Sequence, residues 1–284
     1  MKEAETYFDD QRAYLFAIAY RMLGSAADAD DMVQEAWLRW QSSERGAVDD
    51  PKAYLARVVT RLCIDRLREL KRQREEYVGP WLPEPLLTAA PPDGGELAES
   101  LSLAFLALLE RLTPVERAVF LLRQVFDYEY GEIAAIVGKT EANCRQQLSR
   151  AQKHVADARP RFETAPEAQQ RMLQGFLDAL GSGDLSRIEG ILREDVELVS
   201  DGGGKVAAAR RVLVGRQEVA NFLHGIAKRR TPEFSFEFAP VNGHLGLLIR
   251  AKGKLETVFV VESLDGKART IRAVRNPEKL ARIA

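Results

Sequence analysis

The sequence predicts a multidomain chain: two all-α modules separated by an extended linker and followed by an α+β domain. Three observations carry this. At 284 residues and 31.8 kDa, with 46% apolar residues, the chain is longer than one ordinary domain and apolar enough for proper cores. Apolar residues recur at helical spacing from Glu3 to Arg74 and again over 96–160, with a proline- and glycine-rich stretch between. After Pro160 and Pro166 the composition shifts toward strand-forming stretches.

The first block, 1–78, reads as a helical bundle. Tyr14, Ile18 and Met22, then Met32, Val33, Ala36, Trp37 and Trp40, recur at helical steps, and nothing alternates at period two. A loop at 41–51, QSSERGAVDDP, divides it. Residues 79–95, GPWLPEPLLTAAPPDGG, hold five of the twelve prolines and end in Gly-Gly, which makes them an extended linker. The next module, 96–160, has the apolar run SLSLAFLALLERL and then Thr113-Pro114, which open a further helix by N-cap and N1 chemistry. The last domain, 166–284, carries helices around Gln169 to Leu180 and Gln217 to Ala227, and strand-type stretches at 234–239, 244–251, 256–264 and 268–275.

Within YGEIAAIVGKTEANCRQQLSRAQKHV, 130–155, a short helix from about Glu129 to Val137, a turn at Gly138, Thr140 as N-cap and a second helix to Val155 spell a helix-turn-helix. Cys144, Leu148 and Ala151 fall on the inward stripe of the second helix. Asn143, Arg145, Gln146, Ser149, Arg150 and Lys153 then face mostly outward, where they can read a DNA groove. Arg can bridge guanine O6/N7 and Asn or Gln adenine N6/N7, each worth roughly 1 to 3 kcal/mol of discrimination, while Lys and the remaining Arg neutralise phosphates. The plain alternative is an ordinary helical hairpin.

Net charge is −1, from 41 Lys+Arg and 42 Asp+Glu, so the total points neither to nucleic acid nor to a disordered acidic tail. Its distribution is more informative. Residues 1–50 sum to −6 and 51–74 to +6; residues 79–138 sum to −6 and 139–161 to +4. An acidic segment leading into a basic helix, twice, suits acidic faces toward a protein partner and basic faces toward phosphate, the alternative being two solvated faces that balance. In the basic helix of 52–74, Arg57, Arg61, Arg68, Lys71 and Arg72 lie near one another, with Tyr54 ahead of them. Cations beside an aromatic suit partly single-stranded DNA. The stretch DADDMVQEAWLRW, 28–40, joins four carboxylates to an apolar surface, which serves either as a capped core helix or as a face for a basic partner.

Two cysteines, Cys63 and Cys144, cannot build a disulfide framework or a four-ligand zinc site, which points to a reducing, cytoplasmic setting. The acidic start, MKEAETYFDD, has no apolar core segment, and no uncharged apolar run approaches the roughly 18 residues of a membrane helix, so neither secretion nor membrane spanning is expected.

These motifs carry a family resemblance. DADDMVQEAWLRW, DDPKAYLARVVTRLCIDRLRELKR and LTPVERAVFLLRQVFDYEYGEIAAIV with its recognition helix resemble regions two and four of the extracytoplasmic-function bacterial sigma factors, over about residues 1–160. The remainder resembles the SigJ-like subgroup, which carries a fused SnoaL-like extension of the cone-shaped NTF2 type. W-L-P-E-P at 81–85, D-G-G-G-K at 201–205 and N-P-E-K-L at 276–280 support that part. The resemblance implies two all-α sigma modules, a region 2 bundle and a region 4 helix-turn-helix, plus an α+β SnoaL/NTF2-like cone domain. It implies that the helix with Asp28, Asp31, Gln34, Glu35 and Trp37 binds core RNA polymerase. The loop from Ser42 to Asp50, with Ser43, and the following helix, with Tyr54, Arg57, Arg61 and Arg68, would melt and read the minus-ten element of promoter DNA, and the recognition helix would read the minus-thirty-five element. Tyr54 and Arg61 stand where many members of the wider group have Trp and Asn, a departure at the minus-ten surface.

SnoaL-like folds also serve cyclases and isomerases, and the acid/base groups on offer here are Asp195, Asp201, His224 and His244. Fold alone does not decide catalysis. Only three histidines occur, one of them His154 in the DNA-reading module, so no catalytic residue, metal or cofactor is assigned. Three glycines after Asp201 allow close backbone approach, which suits a docking or ligand loop, or a simple hairpin turn. Asn276-Pro277 reads as the start of a terminal helix. Trp81 and Pro83 of the linker, with Asp201, Gly203, Lys205, Asn276, Pro277 and Lys279, form the expected regulatory set through which the extension acts in cis, so that no separate anti-sigma factor is required; a small-molecule ligand of the extension is left open. The function expected is an alternative sigma factor, not an enzyme, that binds core RNA polymerase and directs promoter-specific initiation. The competing reading is a one-component helix-turn-helix regulator with a small-molecule-sensing C-terminal domain. That reading gives the first 75 residues no use and needs a dimer seam that the sequence does not reveal.

Overall fold

The computed structural model describes residues 2–43, 50–88, 99–156, 166–228 and 234–283. They fall into two compact units: Met1–Glu75 with Ala104–Arg159, and Glu76–Leu103 with Pro160–Ala284.

In the first unit, α1 (Lys2–Leu23), α2 (Ala26–Ser42) and α3 (Pro51–Glu75) pack through helical stripes. Leu15, Ile18 and Met22, then Val33, Ala36 and Trp40, then Leu55, Val59 and Cys63 are buried. Ser25 caps α2 by accepting a hydrogen bond from Asp28 N at 3.2 Å. Four more helices follow, α4 (Leu103–Leu109), α5 (Pro114–Gln124), α6 (Tyr130–Val137) and α7 (Glu141–Ala156). Thr113 and Glu116 close a capping box around Pro114. Gly138 takes a left-handed φ of 68° after α6, and Thr140 Oγ1 accepts from Asn143 N at 3.2 Å, so the helix-turn-helix forms where the sequence places it.

The two helical modules share this one unit. The Tyr14 and Tyr128 hydroxyls hydrogen-bond at 2.8 Å. The buried Arg117 donates to the carbonyls of Met22 and Leu109, both at 2.6 Å, and lies 2.9 Å from Glu110, which also pairs with Arg74. Burial pushes the Arg117 pKa down to about 9, which leaves a charge at neutral pH that needs this compensation.

The second unit contains α8 (Pro166–Ser182), α9 (Leu185–Gly190), β1 (Leu192–Asp201), β2 (Leu213–Val214), α10 (Arg216–Ala227), β3 (Phe234–Val241), β4 (His244–Ala251), β5 (Lys254–Leu264), β6 (Lys267–Val274) and α11 (Pro277–Leu280). The sheet order is β2-β1-β6-β5-β4-β3, with β1 parallel to β6 and the other pairs antiparallel. Alternation along the strands gives it two apolar faces. On one, Leu173 and Phe176 of α8 and Val219 and Leu223 of α10 pack on Val196, Leu198, Leu247, Phe259 and Ile271. On the other, Leu82, Leu103 and Leu280 cover Val241, Leu248, Val258, Val260 and Val274.

That second face corrects the expected division into 1–78, 79–95, 96–160 and 166–284. The described part of the expected linker, 79–88, is built into the second unit, with residues 82–85 buried. It stays there because Leu82 has an apolar sheet face to cover and its backbone groups find partners. Leu86 N donates to Asn242 Oδ1 at 2.8 Å, Thr88 N to the Pro240 carbonyl at 3.1 Å, and Leu82 N to a carboxylate described below. Residues 89–95 of that stretch lie outside the described residues, as do 44–49 of the loop expected to meet the minus-ten element and the side chain of Arg72. Three elements, β1, β2 and α9, have no counterpart in the sequence reading. Acidic residues at 194, 195 and 197 and a register shift between Leu192 and Glu197 obscure the alternation of β1, and the other two are very short.

Candidate functional site

On α7, Cys144, Leu148 and Ala151 are buried against the unit's core, while Gln146, Ser149, Arg150 and Lys153 are exposed along one side. Arg145 is exposed but held: its guanidinium lies 4.3 Å from the Tyr130 ring centroid and 3.1 Å from Glu141. Asn143 is half-buried, with its Oδ1 buried and without a partner among the described residues, so it sits at the edge of this face. The arrangement offers hydrogen-bond donors and two exposed cations, Arg150 and Lys153, on a helix whose inner face is buried.

The residues expected at the minus-ten element are spread along α3 and the end of α2. Tyr54 packs against Trp40, ring centroids 5.8 Å apart, and Arg57 lies over Tyr54 at 5.5 Å. Arg68 pairs with Asp65 at 2.7 Å on the surface. The Ser43 hydroxyl donates to the Trp40 carbonyl at 2.8 Å. Arg61 has a different engagement: its guanidinium donates to the carbonyls of Ile136 at 2.7 Å and Ala135 at 2.9 Å, in the last turn of α6. Those carbonyls lack intrahelical partners and carry the negative end of the helix dipole, so Arg61 acts as a cap between the two helical modules. Sequence spacing carries no signal for that contact.

On α2, Asp31 and Gln34 are exposed, and Glu35 pairs with Arg39 at 3.0 Å. Asp28 is tied to Arg66 of α3 at 2.8 Å, and Trp37 packs on Phe8, centroids 4.9 Å apart. Of this group, Asp28 and Trp37 therefore have work inside the bundle.

The three short signatures meet at one carboxylate. Asp201, at the end of β1, is 0% exposed. It accepts from Tyr77 Oη at 2.6 Å, Leu82 N at 2.8 Å and Gly203 N at 3.0 Å, and from Lys279 Nζ at 2.7 Å. The same Lys279 ammonium bonds the Leu82 carbonyl and lies 4.1 Å from the Trp81 ring centroid. Asn276 caps α11 by accepting from Glu278 N at 3.1 Å, with Pro277 at the first helical position, and donates to Tyr77 Oη at 3.1 Å. Gly203, at φ +60°, admits no side chain, since a Cβ there would stand 2.3 Å from Asn276 Nδ2. Lys205 pairs with Glu278 at the rim, and Pro83 is buried beside Leu82. Burial first, and then the bond to Asp201, push the Tyr77 pKa up, so the hydroxyl stays a donor. Asn242, for which the sequence carries no expectation, is a second anchor: its side chain accepts from Leu86 N and donates to the Leu101 carbonyl at 2.9 Å.

None of the four acid/base candidates lines the cavity of about 230 Å³ beneath α8 and α10. Asp201 is fully engaged, and a hydrogen bond from Arg193 holds the exposed Asp195 below the usual carboxylate range. His244 packs against Gln169 with its pKa lowered by burial, and His224 Nδ1 is buried without a partner among the described residues. No helix of the described residues is long and apolar enough to cross a membrane.

Comparison with known proteins agrees with these modules. Residues 8–73 match the family model Sigma-70 region 2, and residues 102–155 match Sigma-70, region 4. The chain is 35% identical to the ECF RNA polymerase sigma factor SigJ of Mycobacterium tuberculosis, over 96% of this chain and 91% of that protein. It is 30% identical to the probable ECF RNA polymerase sigma factor SigI of the same species, over 95% and 92%. The crystal structure of Mycobacterium tuberculosis SigJ superposes with a TM-score of 0.77 at 33% identity, covering 97% of this chain and 98% of that one.

Proposed function

The chain belongs to the extracytoplasmic-function RNA polymerase sigma factors, and on that premise we propose that its C-terminal unit restrains promoter recognition in cis. Core RNA polymerase docks on the exposed acidic side of α2 around Asp31 and Gln34. The face of α7 with Gln146, Ser149, Arg150 and Lys153 reads the minus-thirty-five element, and α3 with Tyr54, Arg57 and Arg68 meets the minus-ten element. Arg61 joins that surface once it leaves the end of α6.

One observation carries the regulatory part. The described residues of the chain between α3 and α4, 76–88 and 99–102, belong to the C-terminal unit, held by Asp201, Lys279 and Asn242. Any change in spacing between the two DNA-reading modules has to pull on this segment. A restraint of this kind replaces a separate anti-sigma factor. The test is run-off transcription with purified core polymerase, comparing wild type with Trp81→Ala, whose folding is checked by circular dichroism. A higher transcript yield from the folded variant supports cis restraint; equal yields at equal core binding refute it.

A further inference from the structure

The cavity of the second unit shares no lining residue with the Asp201 junction. Leu180, Phe222, Phe236, Ile249 and Phe259 line most of its volume of about 230 Å³. An apolar cavity of roughly 150 Å³ holds benzene, so this one has room for about nine carbon-sized atoms.

Its polar lining has a specific character. Ser200, 1% exposed, presents a hydroxyl without a partner among the described residues. Buried polar groups in folded proteins are nearly always satisfied, so an orphaned one facing a cavity offers a bond that a ligand atom can take. Arg275 donates through Nε to Thr257 Oγ1 at 3.2 Å and through Nη1 to the Ala207 carbonyl, and its Nη2 has no hydrogen bond among the described residues. The Thr257 hydroxyl, having accepted from Arg275, keeps its own hydrogen to give. These are donors around one cation, the set that a carboxylate satisfies. Glu256, exposed at the lining, is the one negative charge there, and it disfavours a dianion more than a monoanion. Burial lowers the Arg275 pKa more than the neighbouring Glu256 carboxylate raises it, and a bound anion relieves the remaining penalty.

We infer that this cavity binds a monocarboxylic acid of about eight carbons in all, its carboxylate held by Arg275 and Ser200 and its tail among Phe222, Phe236 and Phe259. The inference does not rest on the transcriptional reading and is tested without polymerase. Isothermal titration of the full chain with octanoate, octan-1-ol and octylamine separates head group from tail. Octanoate binds, octanol binds at least about ten-fold more weakly, and octylamine gives no heat. Arg275→Gln lowers octanoate affinity by about ten-fold and leaves octanol unchanged. Ser200→Ala weakens octanoate in the same direction with little effect on the fold, and Ile249→Trp, which fills the cavity, removes binding of both. No heat from octanoate at millimolar concentration, equal affinities for the three probes, or octanoate binding unchanged in Ser200→Ala and Ile249→Trp would overturn the assignment.

Discussion

Replacing Lys279 with Met keeps most of the stem and removes the ammonium from the Asp201 junction. Asp201 is 0% exposed and the Lys279 side chain 12%, so the pair is sheltered from solvent screening. Breaking a buried ion pair by removing one partner costs about 3 to 5 kcal/mol, because the other charge stays buried. Three donors remain on Asp201, from Tyr77, Leu82 and Gly203, which places the loss at the lower end, about 3 kcal/mol. For a unit of this size that lowers the melting temperature by about 6 to 12 °C. Differential scanning calorimetry of the full chain measures it. The double variant Asp201→Asn with Lys279→Met removes the stranded charge as well, so it loses less than the sum of its parts. A loss below about 1 kcal/mol for Lys279→Met, or strict additivity in the double variant, would refute the reasoning that Asp201 needs its counter-charge.

Three further outcomes follow from the geometry. Gly203→Ala combines a left-handed φ with a clash against Asn276 and should destabilise the second unit by about 2 kcal/mol or more, read by urea unfolding; a neutral result contradicts the close approach. Burial holds the His244 pKa below the ordinary 6.5, so the unfolded chain takes up its proton first as pH falls. The unfolded state then binds more protons, and stability drops from about pH 7 downward through 6.5; His244→Gln should flatten the melting temperature between about pH 7 and 5.5, and an unchanged slope would count against it. On α7, Lys153→Ala should weaken binding to promoter and random DNA alike and reduce the log–log salt slope by about 0.9, whereas Gln146→Ala should cost about 1 to 3 kcal/mol on the preferred sequence only. Equal losses on both sequences for Gln146→Ala would remove it from base readout.

The helix-turn-helix was legible because its signals are local: a 3.6-residue stripe of Cys144, Leu148 and Ala151, a left-handed Gly138, and a Thr140 cap. The three signatures were legible as motifs, but their meeting at Asp201 depends on β1 lying beside β6, a parallel pairing that no local pattern encodes. Asn276, which the sequence places at the start of a terminal helix, caps that helix, and its bond to Tyr77 depends on the same pairing. No local pattern marks Ser200 or Arg275, although each is the immediate neighbour of a signature. Alternation sends adjacent side chains to opposite sides of a strand, so Asp201 faces the connecting segment while Ser200 faces the cavity. Arg61 has the appearance of a free DNA contact in sequence because its acceptors, Ile136 and Ala135, lie some 75 residues away and are backbone carbonyls.

Promoter-specific initiation is tested by run-off transcription with purified core polymerase and the full chain on a candidate promoter. A sigma factor yields a promoter-specific transcript that core alone does not make and that Arg150→Ala, on the outer face of α7, strongly reduces. No transcript and no co-migration with core polymerase, together with a palindromic footprint on DNA in its absence, would rule out the sigma role and leave a one-component regulator in its place.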